Sequence, residues 1–296
     1  MAANLKEVRE RIKSVISTQQ ITKAMKMVSA AKLRRAQQAI VDMRPYADRL
    51  NTMMVNILAN ADGDLNSAFG LQRDVQKVCI VVVTSSKGLC GAFNTNVIKL
   101  ASARIQEQYK EVMEKGNLTV VCIGKKGNDY FRRHFKKARI VSDHVNMFQD
   151  LRYEKVQEAA QELMDGFSDQ TYDIVEVAYG RFKNAATQYP EMETFLPVIS
   201  EKSKETRQRA DYLFEPDKNG LLDHLLPSIL KTSFYKYLLD THASEHGARM
   251  TAMEKASENA EEILKELKIS YNKARQEAIT KELSEIVGGA AALEGA

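Results

Sequence analysis

Tryptophan is absent from the 296 residues, and proline occurs only five times. So few prolines leave long stretches in which nothing breaks a helix. Abundant alanine, lysine, glutamate and methionine favour helices further. Cysteine is also sparse: Cys79, Cys90 and Cys122 are odd in number and show no C-x-x-C spacing. That argues against a disulfide framework or a thiolate metal site. The apolar runs around Cys79 and Cys122 predict buried thiols in a reducing compartment. No run approaches the roughly 18 apolar residues of a membrane span. The opening "MAANLKEVRERIKSV" is charged from Lys6 onward and lacks the apolar core of a signal peptide.

The net charge of +4 hides an asymmetry. Residues 1–60 hold 11 Lys/Arg against 4 Asp/Glu, a net of +7. Residues 61–215 hold 22 of each, and residues 216–296 hold 10 against 13, a net of −3. Ends of opposite sign attract each other, and the basic one also suits an acidic partner.

Glycine is missing from about Leu5 to Asn60, and Pro45 is the only proline there. This predicts one helix of about 80 Å at 1.5 Å per residue, with at most a mild kink at Pro45. Ala36, Ile40, Met43, Ala47, Leu50, Met54 and Ile57 form a heptad seam, and Leu5, Val8, Ile12 and Val15 form a second. Between them Gln19, Gln20, Thr22, Lys26 and Ser29 put polar groups where a seam would run, and the phase is read as slipping. From about Asn219 to Val287 a second long helix is predicted. One of its seams runs through Leu230, Phe234, Tyr237, Thr241, Ser244 and Ala248, the other through Leu264, Leu267, Tyr271, Ala274 and Ala278. Two such helices at opposite chain ends pair most simply as an antiparallel coiled coil.

The middle alternates. Residues 77–84, 118–124, 138–142, 173–180 and 194–200 read as strands, with helices at 94–112, 125–135 and 152–167. Apolar runs without alternation predict a parallel sheet covered on both faces. The expected fold is therefore α/β, a Rossmann-like domain at 61–215 inserted between coiled-coil helices at 1–60 and 216–296.

Three motifs invite chemistry. "TSSKGLCGAFN" is a strand-to-helix turn where a phosphate could sit. Its glycines, Gly88 and Gly91, are three apart and Lys87 precedes the first, which fits neither a phosphate loop nor a dinucleotide loop. The simpler reading is a tight turn, with Asn94 or Thr95 capping the helix. "GKKGNDYFRRHFKK" (124–137) is basic but lacks an aromatic platform, and reads as a solvated helix face rather than a nucleic-acid site. "HASEH" (242–246) matches H-x-x-E-H, a zinc-protease pattern. Inside a heptad run it reads as coiled-coil surface with two solvent-facing histidines. No catalytic, metal or cofactor site is expected.

The ends carry a more specific pattern. "NLKEVRERIKSVISTQQITKAMKMVSAAKLRRAQ" with "RPYA" (44–47) resembles the start of the gamma subunit of F-type ATP synthase. "ASEHGARMTAM" (243–253) and "SYNKARQEAITKELSEIVGGAAAL" (270–293) resemble its C-terminal helix, with Ile279, Thr280, Lys281, Glu282, Glu285, Gly289 and Ala290 fitting its signature. "GLCGAFN" and "DYLFEPD" (211–217) match in order between them. The departures are Ser86-Lys87 in place of an Asp-Arg pair, Lys26 in place of a glutamate, and the absence of the chloroplast form's cysteine pair and insertion.

The resemblance implies a rotor without a catalytic site of its own. Its coiled coil would insert into a ring of three alpha and three beta subunits, where the nucleotides bind. Its foot would hold the epsilon subunit and stand on the membrane-embedded, proton-driven c-ring. The complex would be peripheral to the cell membrane on the cytoplasmic side. Lys23, Met25, Lys26, Arg249, Arg275, Gln276, Thr280 and Glu282 are expected to contact the alpha/beta ring, and Gly88 and Gly91 to form a turn in the foot. Two rival readings are a nucleotide-using α/β enzyme and a nucleic-acid-binding coiled-coil scaffold. Against the latter, Lys6, Arg9, Arg11, Lys13, Lys23 and Lys26 spread around the helix instead of lining one face.

Overall fold

The computed structural model of the chain describes residues 5–60, 69–70, 73–198 and 218–294. Helix α1 spans Leu5–Asn60 and helix α6 Lys218–Glu294, with Pro45 and Pro227 inside them. Between them lie β1 (Val78–Val83), α2 (Phe93–Gln108), α3 (Lys110–Glu114), β2 (Leu118–Ile123), α4 (Lys125–His134), β3 (Arg139–Val141), a 3-10 turn at Met147–Gln149, α5 (Tyr153–Ser168), β4 (Ile174–Phe182) and β5 (Gln188–Leu196). The helix expected at 94–112 is thus broken at Tyr109. The chain divides into two compact units, residues 1–28 with 250–296 and residues 29–249.

The larger unit holds a sheet ordered β3-β2-β1-β4-β5. β1 pairs in parallel with β2 and β4, and β2 with β3. All six residues of β1 and of β2 are buried, as their unalternating apolar runs require. Side chains of opposite parity feed two cores. Val78, Ile80 and Val82 pack with α2 and with Phe131 of α4. Cys79, Val81 and Val83 pack with Val156, Leu163 and Phe167 of α5.

Two expectations need correction here. The last strand runs over Gln188–Leu196, antiparallel to β4, and was expected at 194–200; residues 199–200 lie outside the described residues. Asn184 makes the hairpin, its Oδ1 accepting from the Ala186 and Thr187 amides. An edge strand can carry Pro190 and the polar run around it, so it lacks the signature of a buried strand. The second correction concerns the seam from Leu230 to Ala248. Leu230, Phe234, Tyr237 and Leu238 belong to the α5-side core of the sheet. This stretch of α6 therefore covers the sheet as well, a role that its heptad spacing did not predict, while Lys32 and Arg44 of α1 lie close enough to act on His242 and Asp240.

The smaller unit is an antiparallel helix pair. Arg9 meets Tyr271, Thr22 meets Ser257 and Lys26 meets Glu254, the second residue falling as the first rises. The supposed phase slip in α1 does not occur. Along α1, positions 12, 15, 19, 22 and 26 of this unit and 29, 33 and 36 of the larger one are all buried or half-buried, in unbroken steps of three and four. Thr22 and Ser29 are buried among them.

Asp240 gives the larger unit a pH dependence. It is 7% exposed, and burial lifts its carboxyl to about 6, against the pull of Lys236, Arg181 and Arg44. A raised acid favours folding while protonated, so stability is lost as pH rises through about 6. Asp240→Asn is expected to raise stability at pH 7–8 by on the order of 2–3 kcal/mol at 1.36 kcal/mol per pKa unit. At pH 4 it should change little. Denaturant unfolding at both pH values tests this, and equal effects at the two would refute it.

Candidate functional site

In an open sheet of this order, ligands bind outside the carboxyl ends of the strands where the winding reverses, here between β1 and β4. The turn "SSKGLCG" leaves β1 at that point. Its frame is built by neighbours. The Ser85 amide donates to Asn94 Oδ1 (2.9 Å), Asn94 Nδ2 donates to Ser85 Oγ (2.8 Å), and Ser85 Oγ donates to the Lys87 carbonyl (2.6 Å). Asn94 therefore ties α2 back to the end of β1 and does not cap the helix, whose N-cap is Ala92 without a side-chain bond. Leu89 and Gly91 both take left-handed backbone, φ +61° and +59°. For leucine this costs about 1–2 kcal/mol, and the side chain is 65% exposed.

Helix α6 fills the space that a ligand would use. Thr241 Oγ1 accepts from the Gly180 amide at the end of β4 (3.2 Å), and Ser244 Oγ donates to the Gly180 carbonyl (3.0 Å). A Cβ on Gly180 would fall 2.4 Å from the Phe93 ring, so only glycine fits between α2 and α6. One turn on, Arg249 donates through Nε to the Gly88 carbonyl (3.3 Å) and through Nη2 to the Lys87 carbonyl (3.1 Å). The same guanidinium pairs with Glu245 (2.7 Å), both side chains being under 9% exposed. Burial raises the Glu245 carboxyl in spite of Arg249. The backbone of the turn is thus closed over by α6.

The histidines follow from this arrangement. Arg249 Nη1 lies 3.2 Å from His246 Nδ1, and arginine only donates, so that nitrogen carries no proton. The proton sits on His246 Nε2, 3.1 Å from His242 Nε2, which accepts it. Both rings are neutral. Burial pushes His242 down to about 4 and His246 to about 3. The expectation of two solvent-facing histidines is wrong: His246 is 5% exposed, and His242 stacks on Phe148. The protease reading fails as well. Zinc would need His246 Nε2 unprotonated, which would turn an Nδ1 proton against Arg249, and Glu245 is committed to Arg249. Among the described residues no group of three His, Cys, Asp or Glu is placed to hold a metal ion.

The residues expected to touch a surrounding ring fall into two groups. Arg249 is buried, and its donors are used within the chain, with Gly88 among their acceptors; it is not a surface contact. Gly91 has open space around it. In the smaller unit Lys23 is exposed, Met25 is half-buried, and Lys26 is ion-paired to Glu254. Arg275, Gln276, Thr280 and Glu282 are all exposed on α6, where Thr280 Oγ1 donates to the Gln276 carbonyl (2.9 Å). Sequence reasoning missed the apolar side chains around these four. Every position from 279 to 290 is exposed, and Ile279, Leu283, Ile286 and Val287 form a stripe, 49–67% exposed, that no described residue covers. Their spacing of 4, 3 and 1 was the available signal.

The ATP synthase family model matches residues 4–293. The ATP synthase gamma chain of Cytophaga hutchinsonii is 48% identical, with 98% of this chain and 99% of that one covered. The ATP synthase gamma chain of Flavobacterium psychrophilum is 50% identical, with 99% of this chain and all of the other covered. Among solved structures, a chain of the Euglena gracilis mitochondrial ATP synthase, OSCP/F1/c-ring in rotational state 3, is 24% identical. It superposes with a TM-score of 0.68 over 98% of this chain and 94% of its own.

The latch predicts its own cost. Arg249→Ala leaves Glu245 buried without a cation and should destabilise the chain by about 3–5 kcal/mol. Arg249→Ala with Glu245→Ala should recover part of that. Urea unfolding midpoints measure both. A loss under about 1 kcal/mol in the single variant would mean that the latch contributes little.

Proposed function

The chain belongs to the family of ATP synthase gamma chains, and on that premise we propose that it is the central rotor shaft of an F-type ATP synthase. It is a non-catalytic subunit of the proton-transporting complex. Proton flow through the membrane ring turns it, and its turning drives the catalytic sites on the beta subunits through their states in sequence. The observation that carries this reading is the uncovered apolar stripe Ile279, Leu283, Ile286 and Val287 on the last turns of α6. A helix end of that kind needs a surrounding apolar surface, and a sleeve formed by the alpha and beta subunits supplies one. Arg275, Gln276, Thr280 and Glu282, exposed beside the stripe, would meet polar loops of the ring. Lys23 and the basic N-terminal segment suit acidic loops on the beta subunits.

Residues 1–60 and 216–296 serve as the shaft, the part of α6 over the sheet being shared with the foot at 61–215, which takes the epsilon subunit and rests on the c-ring. The complex is membrane-associated. Among the described residues no helix is long and apolar enough to cross a membrane, which fits a peripheral subunit on the cytoplasmic face of a bacterial cell membrane. Nothing in this reading asks the α/β unit to hold a nucleotide, and the filled crevice between β1 and β4 supports that view.

Replacing Arg275 and Gln276 together by alanine in the assembled complex should slow ATP hydrolysis and synthesis by roughly tenfold, about 1.4 kcal/mol of barrier. The isolated chain's unfolding midpoint should not change. Turnover equal to the parent complex in both directions would remove these two residues from the ring contact.

A further inference from the structure

We propose that Thr22, Ser257, Lys26 and Glu254 form a register clamp, a polar layer that allows only one axial alignment of α1 against α6 in the smaller unit. The proposal rests on contacts within the chain and not on the rotor reading. Thr22 and Ser257 are both about 8% exposed, and their hydroxyl oxygens lie 2.7 Å apart across the helix interface. Each hydroxyl is also within reach of its own helix backbone: Thr22 Oγ1 of the Gln19 carbonyl (3.0 Å), Ser257 Oγ of the Met253 carbonyl (2.9 Å). Two protons therefore serve three bonds. Neither hydroxyl is orphaned if the helices separate, so the layer adds little to overall stability. Its effect is on which alignment is preferred. One turn away Lys26 pairs with Glu254, both side chains about 40% exposed.

The rest of the interface discriminates poorly. It is built from aliphatic side chains such as Ala260, Leu264, Val8 and Ile12 at repeating steps of three and four. One heptad of sliding replaces one aliphatic contact by another, which is the ambiguity that buried polar residues resolve in coiled coils. The sequence shows how few alternatives satisfy the polar groups. Sliding α6 by seven residues in one direction sets Lys26 opposite Glu261, which still offers a carboxylate. The same slide sets Thr22 opposite Leu264 and Arg9 opposite Ala278, so two of three polar contacts disappear. Sliding the other way brings Lys26 to Gly247, Thr22 to Met250 and Arg9 to Leu264, and all three are lost. The hydroxyl pair excludes both slips, and the ion pair excludes one of them.

The test uses the full chain with spin labels on Lys13→Cys and Lys281→Cys, both exposed, and the native cysteines left in place because all three are buried. These sites are offset along the pair by about 21 Å, and one heptad of slip changes that offset by about 10 Å. The parent chain should give a single narrow distance. Thr22→Val, Ser257→Ala and Lys26→Ala combined should retain the helical circular dichroism signal. The distance distribution should at least double in width or split into two peaks. Should that triple variant lose helix, Thr22→Val with Ser257→Ala is read in the same way. The exchange Lys26→Glu with Glu254→Lys restores the pair in reverse and should keep the single distance. A distribution in the folded clamp variant as narrow as the parent's, or an exchange variant as broad as the triple, would overturn the proposal.

Discussion

One continuous helix, α6, has to satisfy two different surfaces with one spacing. From Leu226 to Arg249 its buried stripe serves a sheet, and from Met253 to Ala278 a second stripe serves a single helix. Both are written in steps of three and four, because any helix buries one face at that period. What differs is chemistry. Over the sheet the stripe is wide and includes aromatic rings, Phe234 and Tyr237, and then polar groups aimed at backbone: Thr241 and Ser244 at Gly180, Arg249 at Lys87 and Gly88. Along the helix pair it narrows to Ser257, Ala260 and Leu264, of which the first two are small enough to suit close approach.

That distinction explains what the sequence did and did not disclose. The first long helix was legible to the residue and the second at its start, because an absence of breakers over more than fifty positions has few other readings. The second runs seven residues past its expected end at Val287. The buried strands β1 and β2 were legible from unbroken apolar runs. The destination of the Leu230–Ala248 seam was not, since a heptad pattern does not say whether a sheet or a helix lies opposite. Nor was the polar stretch of α1. Thr22 and Lys26 look like an interruption until Ser257 and Glu254, more than 200 residues away, are seen to complete them. Edge strand β5 escaped for a third reason: half-exposed and carrying Pro190, it lacks the composition of a core strand.

The occupied crevice separates fold from function. A parallel sheet with its winding reversal between β1 and β4 is an arrangement that many nucleotide-binding proteins share, yet fold alone does not assign activity. Here the reversal point is closed by the chain itself. Gly180 admits α6 and no side chain of its own, and a guanidinium takes the carbonyls of the turn. Two neutral histidines complete the layer, their protons fixed by Arg249. What the chain presents outward is mechanical, an apolar stripe near the end of α6 and a basic first helix, while inside the smaller unit a buried hydroxyl pair holds the two helices in register.

The most direct test of the rotor assignment is to watch the chain move. The full chain, carrying a visible probe on exposed Lys137, is assembled with alpha and beta subunits whose ring is fixed to a surface. On addition of ATP the probe should turn in one direction and pause at three positions per revolution. A probe that stays still while the same complexes hydrolyse ATP would contradict the account.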